Sequence, residues 1–127
     1  SLIDMGEITD ITKEESIATF IAGIVRSVRF GFASSHGKAN MMCYNYMEKN
    51  GAFSRNEEGK WVIDFEKAAE CINSWANLII ETQATGNVEF AKAYSAENAS
   101  IGEALAADIE KINGAGIPRD IVFDFAW

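Results

Sequence analysis

Pro118 is the only proline in the 127-residue chain, and the ten glycines gather at a few joints. A backbone with so few breakers can run as long helices with brief connections, and the apolar spacing agrees with that. Thr12 and Glu15 have the separation of a capping box, and Ile17, Phe20, Ile21, Ile24, Val25 and Val28 then fall on one helical stripe reaching to about residue 32, with Arg26 and Arg29 off it. Ser34 or Ser35 caps a second helix that runs to about Lys49. Residues 52–54 and 60–63 flank a polar turn from Arg55 to Gly59 and predict a short hairpin. Asp64 caps a long helix whose Phe65, Ala68, Ala69, Ile72, Trp75, Ala76, Ile79 and Ile80 make a wide apolar face ending near Gly86. Asn87 opens a shorter helix, and Ser100 with Glu103 repeats the capping-box spacing ahead of Leu105, Ile109 and Ile112. The tail from Ile117 to Phe123 reads as extended. The expected fold is mainly all-α: a single helical domain over residues 1–127, a bundle of about five helices with one short β-hairpin.

Charge and composition narrow the partners. Nineteen acidic against eleven basic side chains give a net charge of −8, which repels phosphate backbones, so no nucleic acid is expected. No run approaches the roughly 18 apolar residues of a membrane span, so no membrane partner is expected either, and the absence of a secretory pattern points to the cytoplasm. One histidine and two cysteines cannot assemble a zinc site of four cysteines, of two cysteines with two histidines, or of three histidines. Cys43 and Cys71 read as small buried hydrophobes rather than a disulfide.

His36 is therefore the first candidate for chemistry. It lies in Ser34-Ser35-His36-Gly37-Lys38-Ala39-Asn40, in the first turn of the second helix, where free amides can serve an oxyanion. Asn40, four residues on, shares its face and could donate to the same carbonyl. Lys38 could pair with a substrate carboxylate, although a lysine there is commonly just solvated. Tyr44 and Tyr46 point to opposite sides of their helix, one toward core and the other toward a groove. The plain alternative for His36 is an exposed capping histidine. Glu14 with Glu15, Glu57 with Glu58, and Glu66 with Glu70 read as caps and solvated faces, since nothing forces any pair into an apolar pocket.

From His36 onward the order of features resembles the C-terminal portion of the dipeptidyl peptidase III family of zinc metallopeptidases, over about residues 5–112. Phe32-Ala33-Ser34-Ser35-His36-Gly37-Lys38-Ala39-Asn40 looks like a variant of the family's Ala-His helix opening, with Ser35 in place of Ala. Tyr46-Met47-Glu48-Lys49-Asn50-Gly51-Ala52 resembles the helix end before a hairpin. Trp61-Val62-Ile63-Asp64-Phe65-Glu66-Lys67 resembles the strand entering the next helix, and Gln83-Ala84-Thr85-Gly86-Asn87-Val88-Glu89-Phe90-Ala91-Lys92-Ala93 the corner after it.

The resemblance implies a C-terminal lobe fragment of a longer metallopeptidase, without catalysis of its own because the zinc ligands and general-base Glu belong to upstream helices. It implies zinc in the full-length parent and none in this chain, a peptide substrate, and the N-terminal remainder of the parent as partner. It gives His36 the role of stabilising the transition state at the reacting carbonyl. Many members carry Arg where this chain has Asn40, so the substrate-end contact differs here. The competing expectation is a stand-alone helical interaction module. The apolar residues Leu2, Ile3, Met5, Phe125 and Trp127 near the ends favour the excised piece, which could form a truncation-induced dimer.

Overall fold

The computed structural model describes residues 2–120. It contains α1 (Lys13–Arg29), α2 (Ser35–Lys49), β1 (Phe53–Arg55), β2 (Trp61–Ile63), α3 (Phe65–Thr85), α4 (Val88–Asn98) and α5 (Glu103–Gly114). The protein is mainly α, with five helices and one antiparallel hairpin in which Phe53 faces Ile63, Ser54 faces Val62 and Arg55 faces Trp61. No described helix is long and apolar enough to cross a membrane.

Local signals set most of the boundaries. Thr12 and Glu15 form the reciprocal capping box, Asp64 accepts from the Lys67 amide, and Asn87 accepts from the Phe90 amide. Gly86 closes α3 at φ +60°, a left-handed position that glycine occupies without a Cβ penalty.

The core is built around α2. Met41, Cys43, Tyr44 and Met47 meet Ile17, Ile21, Ile24 and Val28 of α1, Ala68 and Cys71 of α3, Ala52 and Phe53 at the hairpin, and Leu105 of α5. Both cysteines are free and buried. Burial pushes the Cys43 thiol up to about 11, with Cys71 nearby adding to the effect, so it stays protonated at neutral pH.

Several expectations need correcting. α1 stops at Arg29 instead of about residue 32, because the chain turns through Gly31 at φ +108°. Phe20 is 41% exposed rather than part of the buried stripe. The hairpin turn begins after Arg55, which is the last residue of β1. The capping box at Ser100 and Glu103 does not form; Gly102 is the N-cap, with no side-chain bond. The preceding loop is held instead by Asn45, whose Nδ2 donates to the carbonyls of Asn98 and Ser100 at 2.8 Å each. Arg29, off the apolar stripe, donates to Asn113 Oδ1 at 2.7 Å and to the carbonyls of Ile117 and Pro118. The apolar face of α3 is mostly open, with only Ala68 and Cys71 fully buried and Ile80 62% exposed. At the N-terminus Leu2 and Met5 are exposed and Ile3 half-buried. Phe125 and Trp127, and the end of the extended tail, lie outside the described residues.

Candidate functional site

The first turn of α2 is fixed from three sides. Ser34 caps it, its Oγ accepting from the Gly37 amide at 3.1 Å. Gly37 packs so tightly on the preceding loop that a Cβ there would collide with the Gly31 carbonyl oxygen and lie 2.7 Å from Phe32 Cα. Asn40 Nδ2 donates to Ser27 Oγ at 2.6 Å, tying α2 to the end of α1.

His36 stands on this braced turn, exposed, with no hydrogen bond or ion pair to any described residue. Its position four residues before Asn40 puts the two on one face, whereas Lys38 is exposed on the other side of the helix. Thus the three residues singled out share one short stretch, but helical geometry joins only His36 and Asn40. Asn40 is half-buried, and its amide already serves a structural bond.

One turn beyond His36, Ala39 lines an apolar cleft of about 260 Å³ between α2, α3 and α4. Its aromatic lining is Trp75, Tyr94 and Phe90, with centroids 5.9 Å apart between Trp75 and Tyr94 and 5.6 Å between Tyr94 and Phe90, and Tyr46 packs behind Trp75 at 5.3 Å. Tyr44 points the other way and is buried. Tyr46 is half-buried against the core, with its hydroxyl donating to Ser74 Oγ at 2.9 Å, and does not itself line the cleft.

A second cluster was invisible in the sequence. Arg55 Nε and Nη2 reach Asp108 Oδ2 at 3.0 and 2.8 Å, Nη1 reaches Glu48 Oε1 at 3.0 Å, and Nη2 reaches Tyr44 Oη at 3.3 Å. Trp61 Nε1 adds a bond to Asp108 Oδ2 at 2.8 Å, and Tyr44 donates to Glu48 at 3.0 Å. Burial opposes the charge on Arg55, but the bonds to Asp108, Tyr44 and Glu48 outweigh it and hold the guanidinium above its ordinary range. Burial likewise works against ionised Asp108, and the bonds from Arg55 and Trp61 overcome it, so the carboxyl sits below its ordinary value. Burial pushes the Tyr44 phenol up, with the Arg55 bond pulling in the opposite direction. Each member is matched to a partner, so the cluster joins α2, the hairpin and α5 rather than offering a free acid or base.

Among the described residues, no three His, Cys, Asp or Glu side chains gather as a metal-ligand set. The described side chains therefore do not fit a zinc ion.

No family model matches the chain. Among solved structures it is similar to DPP III from Caldithrix abyssi, with a TM-score of 0.85 and 27% identity over 94% of this chain and 23% of that one. The chain has a DPP III-like fold. Dipeptidyl-peptidase III from Corallococcus sp. strain EGB gives the same result, with a TM-score of 0.86 and 26% identity over 95% of this chain and 22% of the other. Among curated proteins, Nudix hydrolase 3 of Arabidopsis thaliana is 29% identical over 120 residues, which is 94% of this chain and 16% of that protein. The DPP III-like chain thus spans less than a quarter of each of these relatives.

Proposed function

We propose that this chain is the C-terminal helical part of a zinc-dependent dipeptidyl-peptidase-type hydrolase, where it forms one wall of the substrate cleft. The observation that carries the reading is an exposed, unpartnered His36 on a rigid helix start in a DPP III-like fold. In that role the imidazole donates a hydrogen bond to the carbonyl oxygen as it gains charge, and the amides at the opening of α2 add to the same field. Lys38 and Asn40 are the accompanying substrate contacts, Lys38 as a cation for a peptide carboxylate and Asn40 as a fixed amide beside His36. Zinc, its ligands, the general base and the N-terminal remainder belong to the longer protein, and this chain alone does not catalyse.

The test is release of dipeptides from a chromogenic substrate by the longer protein, with zinc content matched between variants. His36→Ala is expected to lower kcat by about 10²-fold or more. Lys38→Ala is expected to raise KM with kcat unchanged. Equal rates for His36→Ala and the parent would leave His36 an exposed residue of the first helical turn with no part in the chemistry, since Ser34 is the cap. The open apolar cleft favours a second reading, a helical interaction module without catalysis, in which the longer protein shows no peptidase activity with either residue at position 36.

A further inference from the structure

The cleft between α2, α3 and α4 has two parts. The apolar trough of about 260 Å³ is floored by Trp75, Phe90 and Tyr94 and rimmed by Ile79, which is 39% exposed. Sites that enclose whole drug-sized ligands run from roughly 300 to 1,000 Å³, so this trough suits one bulky side chain better than an entire small molecule. Beside it, sharing Leu78, Thr82 and Phe90, lies a recess of about 180 Å³ that adds Glu81, Thr85 and Asn87 and is polar where the trough is not.

The charge at this recess is uncompensated. The lysines of α3 and α4, Lys67 and Lys92, already pair with Asp64 and Glu89. The carboxylate of Glu81 has no hydrogen bond or ion pair with any described residue, in a chain whose net charge is −8. An apolar slot next to an unpaired carboxylate is complementary to a segment with an apolar anchor followed by a cation, and a trough between two helices suits a helical one.

We propose that this cleft docks an amphipathic peptide segment, with one bulky apolar side chain in the trough and a lysine or arginine against Glu81. The site stands independently of the reading of His36. The probe is a fluorescein-labelled peptide with leucines at i, i+3, i+4 and i+7 and lysines on the flank, followed by fluorescence anisotropy on the 127-residue chain. The expected result is saturable binding weakened about tenfold or more by Glu81→Lys and by Ile79→Asp. Glu57→Lys, the same charge change on the distant hairpin turn, leaves binding intact. If Ile79→Asp alters the circular dichroism spectrum, Ala91→Trp, which fills the trough from α4, replaces it and is expected to abolish binding. Three outcomes overturn the proposal: equal weakening by Glu57→Lys and Glu81→Lys, equal binding of a peptide with alanines for leucines, or sedimentation showing a dimer that Ile79→Asp dissolves.

Discussion

Asp108 shows how one residue joins elements far apart in the chain. Its carboxylate accepts from Arg55 and Trp61, and its side chain is 16% exposed, so the bonds are shielded from most solvent competition. Asp108→Asn keeps the shape and removes the charge, leaving Arg55 with Glu48 as its only acid. Loss of one partner from such a half-buried network is expected to cost about 2–4 kcal/mol at neutral pH, read from urea denaturation. The same bonds give a pH signature. Because the folded carboxyl sits below its unfolded value of about 3.9, its contribution is present above that pH and is lost as pH falls through the folded value. Stability is expected to hold steady from pH 7 to about 5 and fall below about 4, with a shallower fall in Asp108→Asn. The capping carboxylates Glu15 and Asp64 are also lowered, chiefly by bonds from the Thr12 and Lys67 amides, and add to the acid limb in both proteins.

At the scale of elements, the junction of α1 and α2 decides where His36 points. The spacing of apolar residues gave both helices, yet nothing in it marked Gly37 as the point where loop and helix touch. That contact exists only once Gly31 has turned the chain back, and it leaves no room for a Cβ. Gly37→Ala is expected to lose about 1–3 kcal/mol, since both colliding groups are backbone and cannot swing away. Gly23 is the control. It lies inside α1 with nothing within 4 Å of a built Cβ, so Gly23→Ala is expected to gain about 0.5–1 kcal/mol from helix propensity. Thermal melts by circular dichroism of the two variants should therefore shift in opposite directions. A junction loose enough to absorb the methyl group would leave Gly37→Ala unchanged and remove the basis for a rigidly placed His36.

Across the whole molecule, stability is uneven. α1 and α2 supply eight of the buried core residues, α4 has none, and α5 is attached through Leu105, the Asp108 bonds and the bond from Arg29 to Asn113. Native-state hydrogen exchange is expected to be slowest in α1 and α2 and fastest in α4, with Asp108→Asn speeding α5 while leaving α2 protected. Uniform exchange in all five helices would show one cooperative unit instead. Such a pattern also bears on the cleft: α4 is the wall held least firmly, and a docked segment covering Phe90 should slow its exchange.

What the sequence by itself determined is local. Caps at Thr12, Ser34, Asp64 and Asn87, a glycine at position 86 and a single proline act within a few residues, so they fixed helix ends without knowledge of the rest of the chain. The capping box at Ser100 failed because α5 starts at Glu103 with Gly102 as its N-cap, which leaves Ser100 two residues outside the cap, and the loop there is held by Asn45, more than fifty residues earlier, through its carbonyls. His36 and Asn40 were legible as a pair because four residues is one helical turn, while Arg55 and Asp108 were not, because no periodicity links a hairpin strand to the last helix. The wide apolar face of α3 was equally legible, but a stripe states only which residues prefer to leave water. Whether Ile79 is covered or open depends on how many helices pack around it, and that is set by the tertiary arrangement.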